Sequence, residues 1–269
     1  YSNEIFVFSD KPTECEQAFQ CAELIFCLDF NDLSRLDEAA KPYSASKAVK
    51  ILIDHHLQPS SFTDYTISQV KTSSTSELIY DLITALGKNK LMDKNVAECL
   101  YTGIVTDTGS FSYACNYRKT YKVISELYKQ QIDGERIHRL VYDTYSEDRM
   151  RLLGYCLSER LTVIHSLKTA YIRLTNDDLL KFNYKNGDTE GVVNSALSID
   201  GIDFAALFME RDGYIKISFR SKGSFSVNEI ARKYYSGGGH LNAAGGNSYK
   251  NMEDTLVEFK ELLKEIRSV

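Results

Sequence analysis

The sequence predicts an α/β protein of two domains: a parallel-sheet domain over residues 1–145, a linker helix over 146–160, and a smaller mixed-sheet α/β domain over 161–269. Three observations predict it. Short apolar runs of strand type alternate with stretches of helical period through the first half, the pattern of a mostly parallel sheet with helices on both faces. Beyond residue 160 several segments alternate apolar and polar residues one by one, the mark of half-buried strands. The length of 269 residues is enough for two modest domains, each able to bury a core.

Taken in order, Glu4–Phe8 reads as a strand, Thr13–Cys21 as a helix and Leu24–Asp29 as a buried strand. Ser46–Ile53 leads into the next strand, which ends abruptly in Asp54-His55-His56. Ser74-Thr75-Ser76-Glu77 has the spacing of a capping box and opens a helix through about Leu86. Asn95–Val105 presents one apolar helical face, and the stretches near 120–130 and 146–160 are further helices. Leu161–Leu174 and Phe204–Phe219 read as strands. Ser226-Val227-Asn228-Glu229 is a second capping box, opening a helix to about Tyr235, and Met252–Ile266 is amphipathic.

Composition narrows the class. An apolar share of 43% with 26% charged residues describes an ordinary globular protein. No apolar run approaches the length of a membrane span, and no signal peptide is visible. Six cysteines without a C-x-x-C pair read as reduced thiols, which suits a cytoplasmic protein. A net charge of −5 argues against a long track for duplex nucleic acid. The charge is uneven, however. Residues 211–250 hold seven Lys or Arg against two acids, and seven of the 15 glycines. Such a region suits a compact anionic ligand, or is a solvated face with glycine turns.

Chemistry-bearing residues cluster at element ends, where ligands of open α/β sheets collect. Asp29 closes one predicted strand and His55 another, while Asp107 follows a helical segment. The helix dipole disfavours a carboxylate there, and a cation would remove the penalty. Aspartate and histidine together suit a divalent metal such as Mn²⁺. A single Asp of this kind is also a common turn or cap residue. His56, beside His55, could bind phosphate or transfer a proton, and Asp54 could orient an imidazole. Gly237-Gly238-Gly239-His240 would let backbone N–H groups approach an anion, with Arg220 and Lys222 nearby in sequence; the same string also reads as a flexible turn. His138 and His165 read as structural.

Taken together, these strings resemble a known family. Leu28-Asp29-Phe30, Ile53-Asp54-His55-His56, the run Gly103–Phe111, Phe219–Gly223, Val227–Ala231 and GGGHLNAAGG at 237–246 occur in the order found in the DHH–DHHA1 phosphoesterases. Within these the chain is similar to the nanoRNase, or oligoribonuclease/pAp-phosphatase, branch. The resemblance implies two Mn²⁺ or Mg²⁺ ions and hydrolysis of phosphoesters in short single-stranded RNA or nucleotides. It implies Asp29, His55 and Asp107 as metal ligands, with Asp29 bridging, and His56 as the neighbouring phosphate contact; His56 and Asp54 are the catalytic residues expected here. Arg220, Lys222, Gly237, Gly238, Gly239 and His240 would hold the substrate. A homodimer is among the assemblies it allows. The family's opening H-x-x-P-D-G-D-A type motif does not occur in the sequence. The resemblance would place it ahead of Tyr1, so the chain is expected to start inside its first domain. Two other readings stay open: a pyrophosphatase or exopolyphosphatase, and a nucleotide-binding module without catalysis.

Overall fold

The computed structural model describes residues 5–113 and 115–267. It divides into two compact units, Tyr1–Thr144 and Tyr145–Val269. In the first unit α1 (Pro12–Cys21) starts with proline at its first position, where the missing N–H would be unpaired anyway. β1 (Leu24–Leu28), α2 (Ala40–Ala45), β2 (Val49–Asp54) and β3 (Tyr65–Ser68) follow, with a 3₁₀ stretch over Leu33–Ala39. The three strands pair in parallel in the order β1-β2-β3. Cys27 and Leu52 bury one face of this sheet against Phe19, Tyr43, Phe30 and Phe62. Then come α3 (Thr75–Ala85), α4 (Lys94–Asp107), α5 (Arg118–Tyr128) and α6 (Gly134–Tyr142). They form a helical core around Leu100, Tyr101, Ile104, Val105, Val123 and Leu127. The caps at Ser74, Asp93 and Asp133 each accept a backbone N–H three residues on.

Two expectations need correction. Glu4 lies outside the described residues, but Ile5–Phe8 form no strand. The chain instead turns at Val7, whose carbonyl accepts the N–H of Asp10 and of Lys11 on the way into α1. β1 is also not buried on both sides. Leu24, Phe26 and Leu28 are each nearly half exposed, while Cys27 between them is buried. A short apolar run does not reveal whether one face or two will be covered.

The second unit begins with α7 (Glu147–Tyr155), capped by Ser146, and a single π-helical turn over Cys156–Arg160. Leu152 and Cys156 of this segment are wholly buried in the second unit's own core. The remaining elements are β4 (Leu161–Ile164), β5 (Thr169–Leu174), α8 (Asn176–Lys181), α9 (Val192–Leu197), β6 (Phe204–Arg211), β7 (Tyr214–Ser221), α10 (Val227–Tyr234), β8 (Gly238–Gly239), β9 (Ala243–Ser248) and α11 (Met252–Arg267). The sheet is mixed, in the order β4-β5-β6-β7-β9-β8, with β5 and β6 parallel and the other pairs antiparallel. Successive residues of β6 point to opposite faces, so Phe204, Ala206 and Phe208 meet α10 and α11. Ala205, Leu207 and Met209 join the core that holds α9.

Candidate metal centre

Strand register builds the centre. β1 and β2 pair in parallel with Leu28 opposite Ile53, and the Asp29 N–H continues the ladder to the Ile53 carbonyl at 3.2 Å. Asp29 therefore leaves β1 level with the point where Asp54 ends β2 and His55 begins the loop. Its φ of +68° is left-handed, a conformation Asp tolerates better than most residues. Asp107 is the last residue of α4. His55 Nε2 lies 3.6 Å from Asp29 Oδ1 and 3.0 Å from Asp107 Oδ2. The three residues read from the sequence as metal ligands are thus neighbours in space.

The electrostatics suit a cation. Burial alone would depress the His55 imidazole, but Asp107, Asp29 and Asp54 outweigh it and raise its pKa above the ordinary value. Two carboxylates directed at one buried imidazole nitrogen, one of them at the negative end of a helix, are a donor set of the kind a divalent ion takes. Asp54 is fully buried. Burial alone would raise its pKa. The His56 side chain at 2.7 Å and the His56 backbone N–H at 3.0 Å, with the charge of both imidazoles, hold it below the usual carboxylate range. An ionised Asp54 accepts, so His56 Nδ1 carries the proton. Donor atoms of Asp29, Asp54 and His56 also lie within 4.8 Å of one another, which brings Asp54 within reach of a cation as well.

One contact was not legible in the sequence. Thr75 Oγ1 donates to Asp29 Oδ1 at 2.9 Å across 46 residues of chain. The expected capping box around it is half formed. Ser74 Oγ accepts from the Glu77 N–H, but the Glu77 carboxylate turns to Ser73 Oγ and Thr120 Oγ1.

In the second unit, Arg220 on β7 sits opposite Ala243 of β9. The Ala243 carbonyl accepts the His240 N–H at 2.7 Å. Arg220 and His240 therefore flank the same residue of β9. The glycines are more committed than the sequence suggests. Gly238 and Gly239 form a short strand against β9, the Gly237 N–H is donated to Ala231 and the Gly239 N–H to Asn228 Oδ1. Lys222 Nζ is donated to the Ile202 carbonyl at 2.8 Å, so its head group already has a structural partner.

Comparison with known proteins places the chain in a family. The family model "DHH family, N-terminal domain" matches residues 3–104 and "DHHA1 domain" matches residues 166–268. The probable bifunctional oligoribonuclease and PAP phosphatase NrnA of Streptococcus mutans is 36% identical over 217 residues, covering 80% of this chain and 68% of that protein. The chain belongs to the DHH–DHHA1 family. The bifunctional oligoribonuclease and PAP phosphatase NrnA of Bacillus subtilis is 30% identical over 253 residues, covering 93% of this chain and 78% of its own length. Among solved structures, an exopolyphosphatase-related protein from Bacteroides fragilis superposes with a TM-score of 0.93 at 43% identity, covering 99% of this chain and 78% of that one. DHH-family enzymes are metal-dependent hydrolases, in keeping with the carboxylate and imidazole donors gathered here.

Proposed function

We propose that this protein is a divalent-metal-dependent phosphoesterase that hydrolyses short oligoribonucleotides and 3′-phosphoadenosine 5′-phosphate. The observation that carries the reading is the convergence of Asp29 and Asp107 on His55 Nε2. The relatives named as oligoribonucleases and PAP phosphatases support the substrate class.

Asp29, His55 and Asp107 would hold Mn²⁺ or Mg²⁺, with Asp54 in reach of a second ion. Such ions lower the pKa of bound water and neutralise charge developing on a phosphoryl group. The chain's own residues do the rest. Asp54 fixes the His56 tautomer with the proton on Nδ1, so His56 would take a proton at Nε2 and, as the imidazolium, donate it to a phosphate oxygen. Arg220, with its guanidinium, and His240 would take the substrate's phosphate in the second unit, supported by the ordered glycine hairpin. Lys222 contributes less directly, since its ammonium braces the Ile202 carbonyl. The reading places the enzyme in the cytoplasm, where nucleotide products return to use. No helix among the described residues is long and apolar enough to cross a membrane.

The test is mononucleotide release from RNA of a few nucleotides, with and without Mn²⁺, alongside pyrophosphate as a competing substrate. We expect metal-dependent release from RNA, lost on chelation. His55→Ala and Asp107→Asn should each lower kcat by about a hundredfold or more, as expected when charge stabilisation at a reacting group is removed. Faster turnover of pyrophosphate than of RNA would favour the pyrophosphatase reading instead.

A further inference from the structure

We infer that Thr75 is a positioning residue for the metal centre: its hydroxyl holds the Asp29 carboxylate in the orientation that faces His55. The inference rests on the reading of Asp29 as a metal ligand and goes beyond it, because Thr75 itself need not touch an ion.

The physical problem is Asp29. Its backbone is fixed by the bond to Ile53, but its side chain is 57% exposed. A carboxylate in that position ordinarily turns about χ1 and χ2 with little cost, and freezing it costs entropy each time a cation binds. The Thr75 hydroxyl removes that freedom. It donates to Oδ1 at 2.9 Å, the same oxygen that lies 3.6 Å from His55 Nε2. Only one lone pair of Oδ1 is used, so Oδ2 and the rest of Oδ1 remain available as ligand atoms.

The donor is itself well held. Thr75 is the first residue of α3 and is buried. A β-branched side chain has few χ1 choices in a helix. The turn before it is pinned by Glu77, a buried carboxylate that accepts from Ser73 Oγ at 2.6 Å and from Thr120 Oγ1 of α5 at 2.8 Å. Lys119 lies 3.5 Å from the other Glu77 oxygen and also pairs with Asp81. A purely structural role would be to cap α3, but Ser74 already does that by accepting the Glu77 N–H. The Thr75 hydroxyl is left for Asp29.

The experiment compares Thr75→Val, Thr75→Ser and Asp29→Asn in the full protein. Mn²⁺ affinity is read by calorimetry, kcat and KM on a short RNA, and the melting midpoint in chelator. Thr75→Val keeps the shape and loses the donor. It should weaken Mn²⁺ binding by roughly ten- to a hundredfold, the usual cost of losing a group that orients a ligand. It should lower kcat more than it raises KM and leave the metal-free melting midpoint nearly unchanged. Thr75→Ser restores the donor and should recover most of the affinity. In an Asp29→Asn background, Thr75→Val should add nothing further. Should Thr75→Val not fold, Thr75→Ala reads the same loss. Wild-type Mn²⁺ affinity in Thr75→Val, failure of Thr75→Ser to rescue, or full additivity with Asp29→Asn would each overturn the inference. Unchanged affinity in Asp29→Asn alone overturns the assignment of Asp29 and this inference with it, so the two failures are told apart.

Discussion

At Asp178, one buried carboxylate gathers more partners than Asp29, Asp54 or Asp107 does. Arg160 meets it bidentately, Nε at 2.9 Å and Nη2 at 2.7 Å, and Tyr155 donates at 2.7 Å. Thr175 closes a reciprocal capping box with it at the start of α8. Burial would raise its pKa, but these bonds push it down to about 2. A carboxyl depressed on folding contributes stability above its unfolded pKa and loses it as pH falls toward the folded value. The contribution, on the order of 2 kcal/mol, is present above about pH 5 and gone near pH 2. Asp178→Asn should therefore lower the unfolding free energy at pH 7 and flatten its fall between those limits, as measured by urea titration at a series of pH values. Asp29, His55 and Asp107 are legible as candidates because each stands where an element ends, and element ends can be read from apolar periodicity. Thr75 is not, because its serine neighbours give a complete local reason for its presence. A contact spanning 46 residues leaves no trace in a window of four.

At the scale of elements, glycine does in β8 and β9 what apolar side chains do elsewhere. A Cβ on Gly237 would overlap the Gly245 carbonyl oxygen, and one on Gly239 would strike the Ala243 carbonyl at a φ of +153°. The two backbones approach too closely for any side chain between them. The sequence alone suggests a loose turn here, since glycine disfavours strands; strand β9, Ala243–Ser248, is what that reasoning misses. Gly237→Ala should destabilise the second unit by at least about 2 kcal/mol, because the atoms in its way are backbone and cannot swing aside. Gly154, inside α7, has no atom within 4 Å of its missing Cβ and no left-handed backbone. Gly154→Ala should raise stability by up to about 1 kcal/mol. Denaturant midpoints of the two variants, opposite in sign, check both statements. In β1 the apolar run predicts burial of both faces, but only Cys27 and the partly covered Ile25 face the core, and the alternation follows from the strand register.

At the scale of the whole molecule, each unit carries its own apolar core. In the second unit, two cores lie on opposite faces of one six-stranded sheet, one built around Phe204, Phe208, Phe219 and Phe259 and the other around Leu152, Ile172 and Leu207. Every residue of both belongs to 145–269. A polypeptide of that span should fold by itself, giving a cooperative urea transition and near-ultraviolet dichroism from its packed aromatics. A broad, non-cooperative transition would contradict that. The mixed sheet could be anticipated from the switch to alternating residues after 160. Its strand order could not, because β9 pairs between β7 and β8 through segments too poor in apolar residues to announce themselves.

Helix α4 has one more consequence. Its 14 residues run from the cap at Asp93 to Asp107, with Ala97, Leu100, Tyr101, Ile104 and Val105 locked into the first core. Tyr142 clasps the Val105 carbonyl near its far end. The helix therefore works as a measuring rod. One residue added or removed within it would swing Asp107 by about 100° around the axis and shift it 1.5 Å along, carrying the carboxylate away from His55. A change of length between Asp93 and Asp107 would disarm the enzyme without altering any residue proposed to hold the metal.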